Sequence, residues 1–87
     1  MYQSYPNPFN PVTTISFSLT AREKVQLEVF NSLGQKVKTL ISREMPAGKH
    51  TVIWDARNDA GNPLGSGVYF YQISAGGFVQ TRKMILL

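Results

Sequence analysis

Apolar and polar residues alternate with a period of two through most of this chain. In Thr13 to Leu19 (TTISFSL) the side chains of Ile15 and Phe17 lie on the same side of an extended backbone, and Lys24 to Phe30 (KVQLEVF) repeats the pattern. No stretch shows sustained helical periodicity. Because successive side chains of a strand point to opposite faces, the alternation predicts half-buried β-strands and no helix.

The pattern predicts six strands separated by turn signals. They cover residues 13–19, 24–30, 35–41, 50–55, 67–74 and 78–87. Loops are predicted at 42–49, which contains a proline and a glycine, and at 56–67, the longest connection. Short strands at intervals of about 8 to 12 residues favour an antiparallel sandwich of two sheets.

Alternation identifies residues that share a face, but it does not identify which face is buried. We predict a core made mostly of Ile15, Phe17, Leu27, Val29, Val37, Val52, Trp54, Val68 and Phe70. In the strand 67–74 both faces are apolar. Tyr69, Tyr71 and Ile73 are therefore the set that would replace Val68 and Phe70 if the other face is buried. We also expect the final strand to pair within a sheet and to bury one of its faces.

A proline-rich segment, Tyr5 to Pro11 (YPNPFNP), precedes the first strand. Proline fixes its own φ and keeps the preceding residue out of the helical region, so this segment cannot be a helix. Three missing backbone donors also exclude a central strand. We therefore divide the chain into an N-terminal arm, residues 1–12, and a β-sandwich, residues 13–87. The arm would add a seventh strand if it pairs with a sheet edge.

Length, cysteine content and charge narrow the functional classes. The 87 residues make one domain, and the absence of cysteine excludes disulfides and cysteine-based chemistry. Nine lysine and arginine residues give a net charge of +4 but are dispersed along the chain, which argues against a nucleic-acid groove. No apolar run reaches the length of a membrane span, and the start of the sequence lacks a secretory signal pattern. We expect no nucleic-acid partner and no stable membrane insertion.

The residue types that could support catalysis or metal binding are few. His50 is the single histidine, and nothing in the pattern supplies the nucleophile and the carboxylate that a general base needs. Asp55, Asn58 and Asp59 share a loop, but their spacing does not fit an EF-hand. Turns closed by these side chains are the better interpretation, with a weak calcium site as the alternative. We therefore predict no catalytic residue, no cofactor and no established metal site.

Two further motifs have competing interpretations. Gly65-Ser66-Gly67 precedes a strand, so it is not a nucleophile elbow and is predicted to be a glycine corner. Trp54 and the run Tyr69 to Tyr71 could form a platform for a sugar ring. Adjacent residues of a strand face opposite ways, however, so at least one face of the run must lie in the core.

Four segments, in this order and at matching spacing, closely resemble the type A C-terminal sorting domain of proteins exported by the type IX secretion system of Bacteroidetes and related phyla. They are YPNPFNPVTTISFSL, VFNSLGQKVKTL, AGKHTVIWDARNDAGNPLGSGVYFYQI and TRKMILL. The third segment is also similar to the immunoglobulin-like domain of flagellar hook-capping proteins. This sequence departs from the sorting-domain pattern at Phe30, where tyrosine is usual, at Ala56, where glycine is frequent, and after Leu87, where a basic residue often follows.

The resemblance implies an immunoglobulin-like sandwich that is noncatalytic and addresses a larger cargo protein for export. The expected partners are an upstream cargo domain, the type IX translocon and a sortase-like peptidase that commonly removes the domain. The domain is expected to be a monomer, in the periplasm during transit and then at the cell surface or outside the cell. The motif residues fall on Pro6, Asn7, Pro8, Leu33, Gly34, Gln35, Gly67, Val68, Tyr69, Phe70 and Lys83.

Among these residues, we expect Lys83 and the turn at Gly67 to be exposed to the translocon. The alternative functions are a carbohydrate-binding module and a structural immunoglobulin-like accessory module of a secreted enzyme.

Overall fold

The structure is a computed structural model that describes residues 12–87, and it contains six β-strands in this range. The strands are β1 (Thr13–Leu19), β2 (Glu23–Asn31), β3 (Lys36–Met45), β4 (Gly48–Trp54), β5 (Gly67–Ala75) and β6 (Phe78–Leu86). Strands β1 and β4 form a two-stranded sheet, and the other four form a sheet in the order β3-β2-β5-β6. All pairings are antiparallel.

This architecture confirms the predicted all-β, immunoglobulin-like antiparallel sandwich. Alternation also located the strands correctly, since each predicted strand overlaps an observed one. A seventh strand formed by the proline-rich arm, and the arm's structure up to residue 11, lie outside the described residues. Within residues 12–87 no helix is long and apolar enough to span a bilayer.

The core lies between the two sheets and comes from alternate residues of the strands. Its buried members are Ile15, Phe17, Leu19, Val25, Leu27, Val29, Ile41, Met45, Trp54, Ala56, Tyr69, Tyr71, Ile73, Ala75, Met84 and Leu86. Val37 and Val52 are only partly buried and pack against this core. The final strand behaves as expected, because it pairs with β5 and buries Met84 and Leu86.

The prediction that Val68 and Phe70 belong to the core is wrong. Tyr69 and Tyr71 are 8% and 0% exposed, whereas Val68 is 36% exposed. The inner face of β5 is the tyrosine face because Tyr69 packs edge-on against the buried indole of Trp54, with ring centroids 5.7 Å apart. Phe70 therefore points to the outer face of the large sheet.

The predicted loop at 42–49 is also mostly wrong. Strand β3 continues to Met45 and β4 begins at Gly48, so the connection is only Pro46 and Ala47. The missed residues 42–45 pair in regular register with β2, and their polar composition next to Pro46 and Gly48 is what made them resemble a loop in the sequence. Burial of Met45 fixes the end of the strand on the core.

Candidate recognition surface

The β2–β3 turn is closed by hydrogen bonds of Asn31. Its side-chain oxygen Oδ1 accepts from the backbone N–H of Leu33 at 2.9 Å and of Gln35 at 3.0 Å, and its Nδ2 donates to Gln35 Oε1 at 2.9 Å. Gly34 adopts φ 82°, a left-handed conformation that favours glycine. These bonds explain Asn31, Gly34 and Gln35 as turn residues. Leu33, at the tip, is 81% exposed, and the turn does not require its side chain.

The long loop between β4 and β5 is tied to the core by Trp54 and Tyr69. The indole Nε1 of Trp54 donates to the carbonyl of Arg57 at 3.0 Å, and the Tyr69 hydroxyl donates to the carbonyl of Gly65 at 2.6 Å. These two bonds hold both ends of the loop against the aromatic pair. Tyr69 is therefore a structural motif residue, and its side chain is not available to a partner.

The middle of this loop is closed by Asn58 and docked on β3 by Asp59. Asn58 Oδ1 accepts from the N–H groups of Ala60 and Asn62 at 3.0 and 2.9 Å. Asp59 Oδ1 accepts from the N–H of Thr39 at 3.1 Å. Turns closed by the loop's own side chains thus agree with the preferred interpretation of the sequence.

The side chains of this loop are a poor set of ligands for calcium, the alternative that the sequence left open. Asp55 pairs with Arg57 at 3.7 Å and Asp59 with Lys38 at 3.9 Å, so cations already neighbour both carboxylates. Across residues 12–87 there is no group of three or more histidine, cysteine, aspartate or glutamate side chains that could hold a metal ion.

The outer face of the large sheet brings together residues that are distant in the sequence. Phe70 of β5 lies between Phe30 of β2 and Lys83 of β6 in the strand register, and Phe30 is paired on its other side with Lys36 of β3. All four positions lie in one row across the sheet. Lys83 is exposed and the two phenylalanines are half-buried.

A second apolar pair lies beside this row. Val68 pairs with Ile85, and each side chain is 36% exposed. On the other side of the row the face becomes polar: Gln72 Nε2 donates to Thr81 Oγ1 at 3.1 Å, and Glu28 pairs with Lys36 at 3.3 Å. The contiguous apolar surface thus lies at one end of the sheet, while Val79, 59% exposed, stands apart from it near the other end of β6.

Leu33 lies at this same end, because the β2–β3 turn follows Phe30 directly. We define the recognition surface as Phe30, Leu33, Val68, Phe70, Lys83 and Ile85. Four of the sequence-predicted motif residues have a structural role. Gly34 and Gln35 shape the β2–β3 turn, Gly67 has a positive φ of 147°, and Tyr69 packs in the core. The fold leaves Leu33, Val68, Phe70 and Lys83 on the surface. Pro6, Asn7 and Pro8 lie outside the described residues.

Sequence reasoning missed two members of the surface. The sequence marks Phe30 only as a departure from a usual tyrosine, and it gives no reason to single out Ile85. The pairing of Phe30 with Phe70 and of Ile85 with Val68 depends on strand register across three strands. If one buried residue of β5 were known, the alternation of each strand would identify its outward-facing residues, including Phe30 and Ile85.

The other candidate sites have structural explanations. The His50 ring lies 5.3 Å from the ring of Phe17, and its Nε2 is 2.7 Å from the carbonyl oxygen of Pro46. The sugar platform that the sequence suggested is not formed, because Trp54, Tyr69 and Tyr71 are all buried.

Comparison with known proteins places this chain in a family. The model of the FlgD Ig-like domain matches residues 8–77, which is more than half of the chain. No curated protein matched the sequence.

Three similar solved structures share the fold at low sequence identity. Dimeric latent PorU from Porphyromonas gingivalis has a TM-score of 0.78 at 20% identity, and the alignment covers 97% of this chain and 9% of PorU. FLGD from P. aeruginosa has a TM-score of 0.67 at 20% identity, covering 85% of this chain and 58% of FLGD. PorZ from P. gingivalis has a TM-score of 0.65 at 19% identity, covering 97% of this chain and 11% of PorZ. This chain therefore corresponds to only part of each protein, and such identities show the fold alone.

Proposed function

This chain belongs to the FlgD Ig-like domain family, and we propose that it serves as a noncatalytic sorting signal that directs a longer cargo protein through the type IX secretion system. In this proposal the type IX translocon binds the folded domain in the periplasm. A sortase-like peptidase then removes it or uses it for surface attachment. The cargo domain precedes the arm, and its final location is the cell surface or the extracellular space.

One observation carries the proposal: motif residues whose side chains lie at the outer surface converge on one end of one sheet. Leu33, Val68, Phe70 and Lys83 come from three separate motifs, yet strand pairing places them at one end of one sheet. A contiguous patch of exposed apolar side chains, with aromatic rings among them, is typical of surfaces that bind another protein. The structural likeness to PorZ, an essential bacterial surface component of the type-IX secretion system, adds support for this class of partner.

The test is export of a periplasmic reporter fused upstream of this chain in a host with a type IX system. The test variants are Val68→Thr, Leu33→Ser and Lys83→Ala. Ile53→Thr is the matched control, because Ile53 is 65% exposed on β4, in the other sheet. All four changes are on exposed side chains, so each variant is expected to lose less than about 0.5 kcal/mol of stability.

We expect the parent and Ile53→Thr to be exported and the test variants to accumulate in the periplasm. Thermal denaturation of each purified domain checks that the variants remain folded. Export of all three test variants at the parental rate would remove the recognition surface from the proposal. Retention of the parent fusion in the periplasm would refute the sorting role itself.

A structural immunoglobulin-like module is the second candidate. It is favoured by the FlgD Ig-like match over residues 8–77 and by the structural likeness to FLGD. This role predicts that the parent fusion is not exported and that substitutions on the recognition surface change neither location nor stability. The carbohydrate-binding alternative loses its main support with the burial of Trp54 and Tyr71. Pull-down on insoluble polysaccharides tests whether the half-buried Phe70 supplies any binding.

A further inference from the structure

A groove lies at the end of the sandwich opposite the recognition surface. It has a volume of about 380 Å³ and runs between the end of β1 and the β5–β6 turn. The lining residues are Ser18, Leu19, Thr20, Glu23, Ala75, Gly77 and Phe78. Leu19 and Ala75 are buried and form an apolar floor, while Phe78 is 50% exposed and forms a wall. This volume is near the lower end of the range for ligand pockets, about 300–1,000 Å³.

Glu23 distinguishes this groove from an ordinary surface depression. The side-chain carboxylates of residues 12–87 number five, and four of them have basic partners: Glu28 with Lys36, Glu44 with Arg22, Asp55 with Arg57 and Asp59 with Lys38. In the described part of the chain, Glu23 shows neither an ion pair nor a side-chain hydrogen bond. A carboxylate without a basic partner can form a charge-assisted hydrogen bond with an external cation.

The Glu23 carboxylate lies against the β5–β6 turn, which borders the groove through Gly77 and Phe78. A methyl group built on Gly76 would lie 2.9 Å from Glu23 Oε1, so only glycine at the β5–β6 turn leaves the carboxylate its present position. The neighbouring cations do not neutralise it. Arg22 is engaged by Glu44, and Lys24 is adjacent on β2, where successive side chains point to opposite faces of the sheet.

We propose that this groove binds an arginine side chain of a partner polypeptide, with its guanidinium on Glu23 and its aliphatic stem along Leu19 and Phe78. A carboxylate binds a guanidinium in a two-point geometry. An exposed aromatic ring beside it offers a face for the same planar cation. The groove thus supplies a charge, an aromatic wall and an apolar floor, the three features that an arginine side chain matches. This proposal does not depend on the sorting role.

The test is an NMR titration of the ¹⁵N-labelled chain with N-acetyl-arginine amide as the probe. We expect saturable shifts of the backbone amides of Glu23, Gly76, Gly77 and Phe78, with weaker binding at higher salt. N-acetyl-citrulline amide has nearly the same shape without the charge and should not bind. Dispersed spectra show in the same experiment that each variant is folded.

Three variants separate the contribution of the Glu23 charge from that of the Phe78 ring. Glu23→Gln should weaken binding about two- to fivefold, because it removes the charge of a solvent-accessible pair. Phe78→Ala should also weaken binding although it keeps the charge. Asp55→Asn, which changes a carboxylate of the β4–β5 loop that is paired with Arg57, should bind the probe like the parent.

Three results would overturn the proposal: no saturable shift around the groove, equal binding in Glu23→Gln and the parent, or equal binding of the citrulline probe. Parental binding in Phe78→Ala would also refute the proposed wall.

Discussion

Tyr69 offers a sharp test of the division between structural and exposed motif residues. The structure assigns its hydroxyl one hydrogen bond, to the carbonyl of Gly65 at 2.6 Å, and its ring an edge contact with Trp54 at 5.7 Å. Tyr69→Phe removes the first and keeps the second. Since the residue is only 8% exposed, water replaces the lost bond poorly, and we expect a loss of about 1 kcal/mol in the free energy of unfolding. For a domain of this size that lowers the melting temperature by about 4–8 °C.

Urea and thermal denaturation of the purified chain measure the effect. Tyr69→Leu, which removes the ring contact as well, is the comparison and should lose about 3 kcal/mol or more. Below its melting temperature, Tyr69→Phe should direct export of the reporter as the parent does, because the hydroxyl faces the loop and not the outer surface. An unchanged melting temperature for Tyr69→Phe, or loss of export in a folded Tyr69→Phe domain, would refute this account of the residue.

Three further substitutions test the turns. Asn31→Ala removes three side-chain hydrogen bonds of an only partly buried residue and should cost about 1–2 kcal/mol in urea denaturation. Gly34→Ala meets no atom within 4 Å, so its cost of about 1 kcal/mol should come from the positive φ alone. Ala56→Gly should change stability by less than about 0.5 kcal/mol, because relief of the residue's φ of 61° offsets the lost methyl group. The matched change Ala75→Gly in β5 has no such relief and should cost about 1.5 kcal/mol.

Sequence reasoning located every strand but could not choose the buried face of β5. Val68 and Phe70 are as apolar as Tyr69 and Tyr71, so periodicity alone gives two equivalent solutions. The choice is made by a tertiary contact, the packing of Tyr69 on Trp54, whose ring comes from another sheet. In the same way, the extension of β3 to Met45 comes from its regular pairing with β2 and from the burial of Met45, which override the local turn signals of Pro46 and Gly48.

The recognition surface was only partly predictable for a related reason. Motif resemblance marked Leu33, Val68, Phe70 and Lys83 together with residues such as Gly34 and Tyr69, and it did not separate the two groups. The separation needs the hydrogen bonds of the turns and the burial of each side chain. Phe30 and Ile85 join the surface through strand register, which a single sequence does not contain.

If the chain acts as the proposed sorting signal, the physical contrast between Leu33 and its neighbours gives a folded signal an advantage over a linear one. An 81% exposed leucine contributes little to folding, yet the hydrogen bonds of Asn31 hold its backbone in one conformation. Binding of a partner to this side chain therefore costs less conformational entropy than binding to a flexible peptide would, because the turn is already ordered. The row of Phe30, Phe70 and Lys83 exists only when β2, β5 and β6 are paired, so an unfolded chain does not present it. A translocon that binds this surface would in the same step discriminate folded from unfolded domains, and destabilising changes far from the surface should reduce export only in proportion to the unfolded fraction.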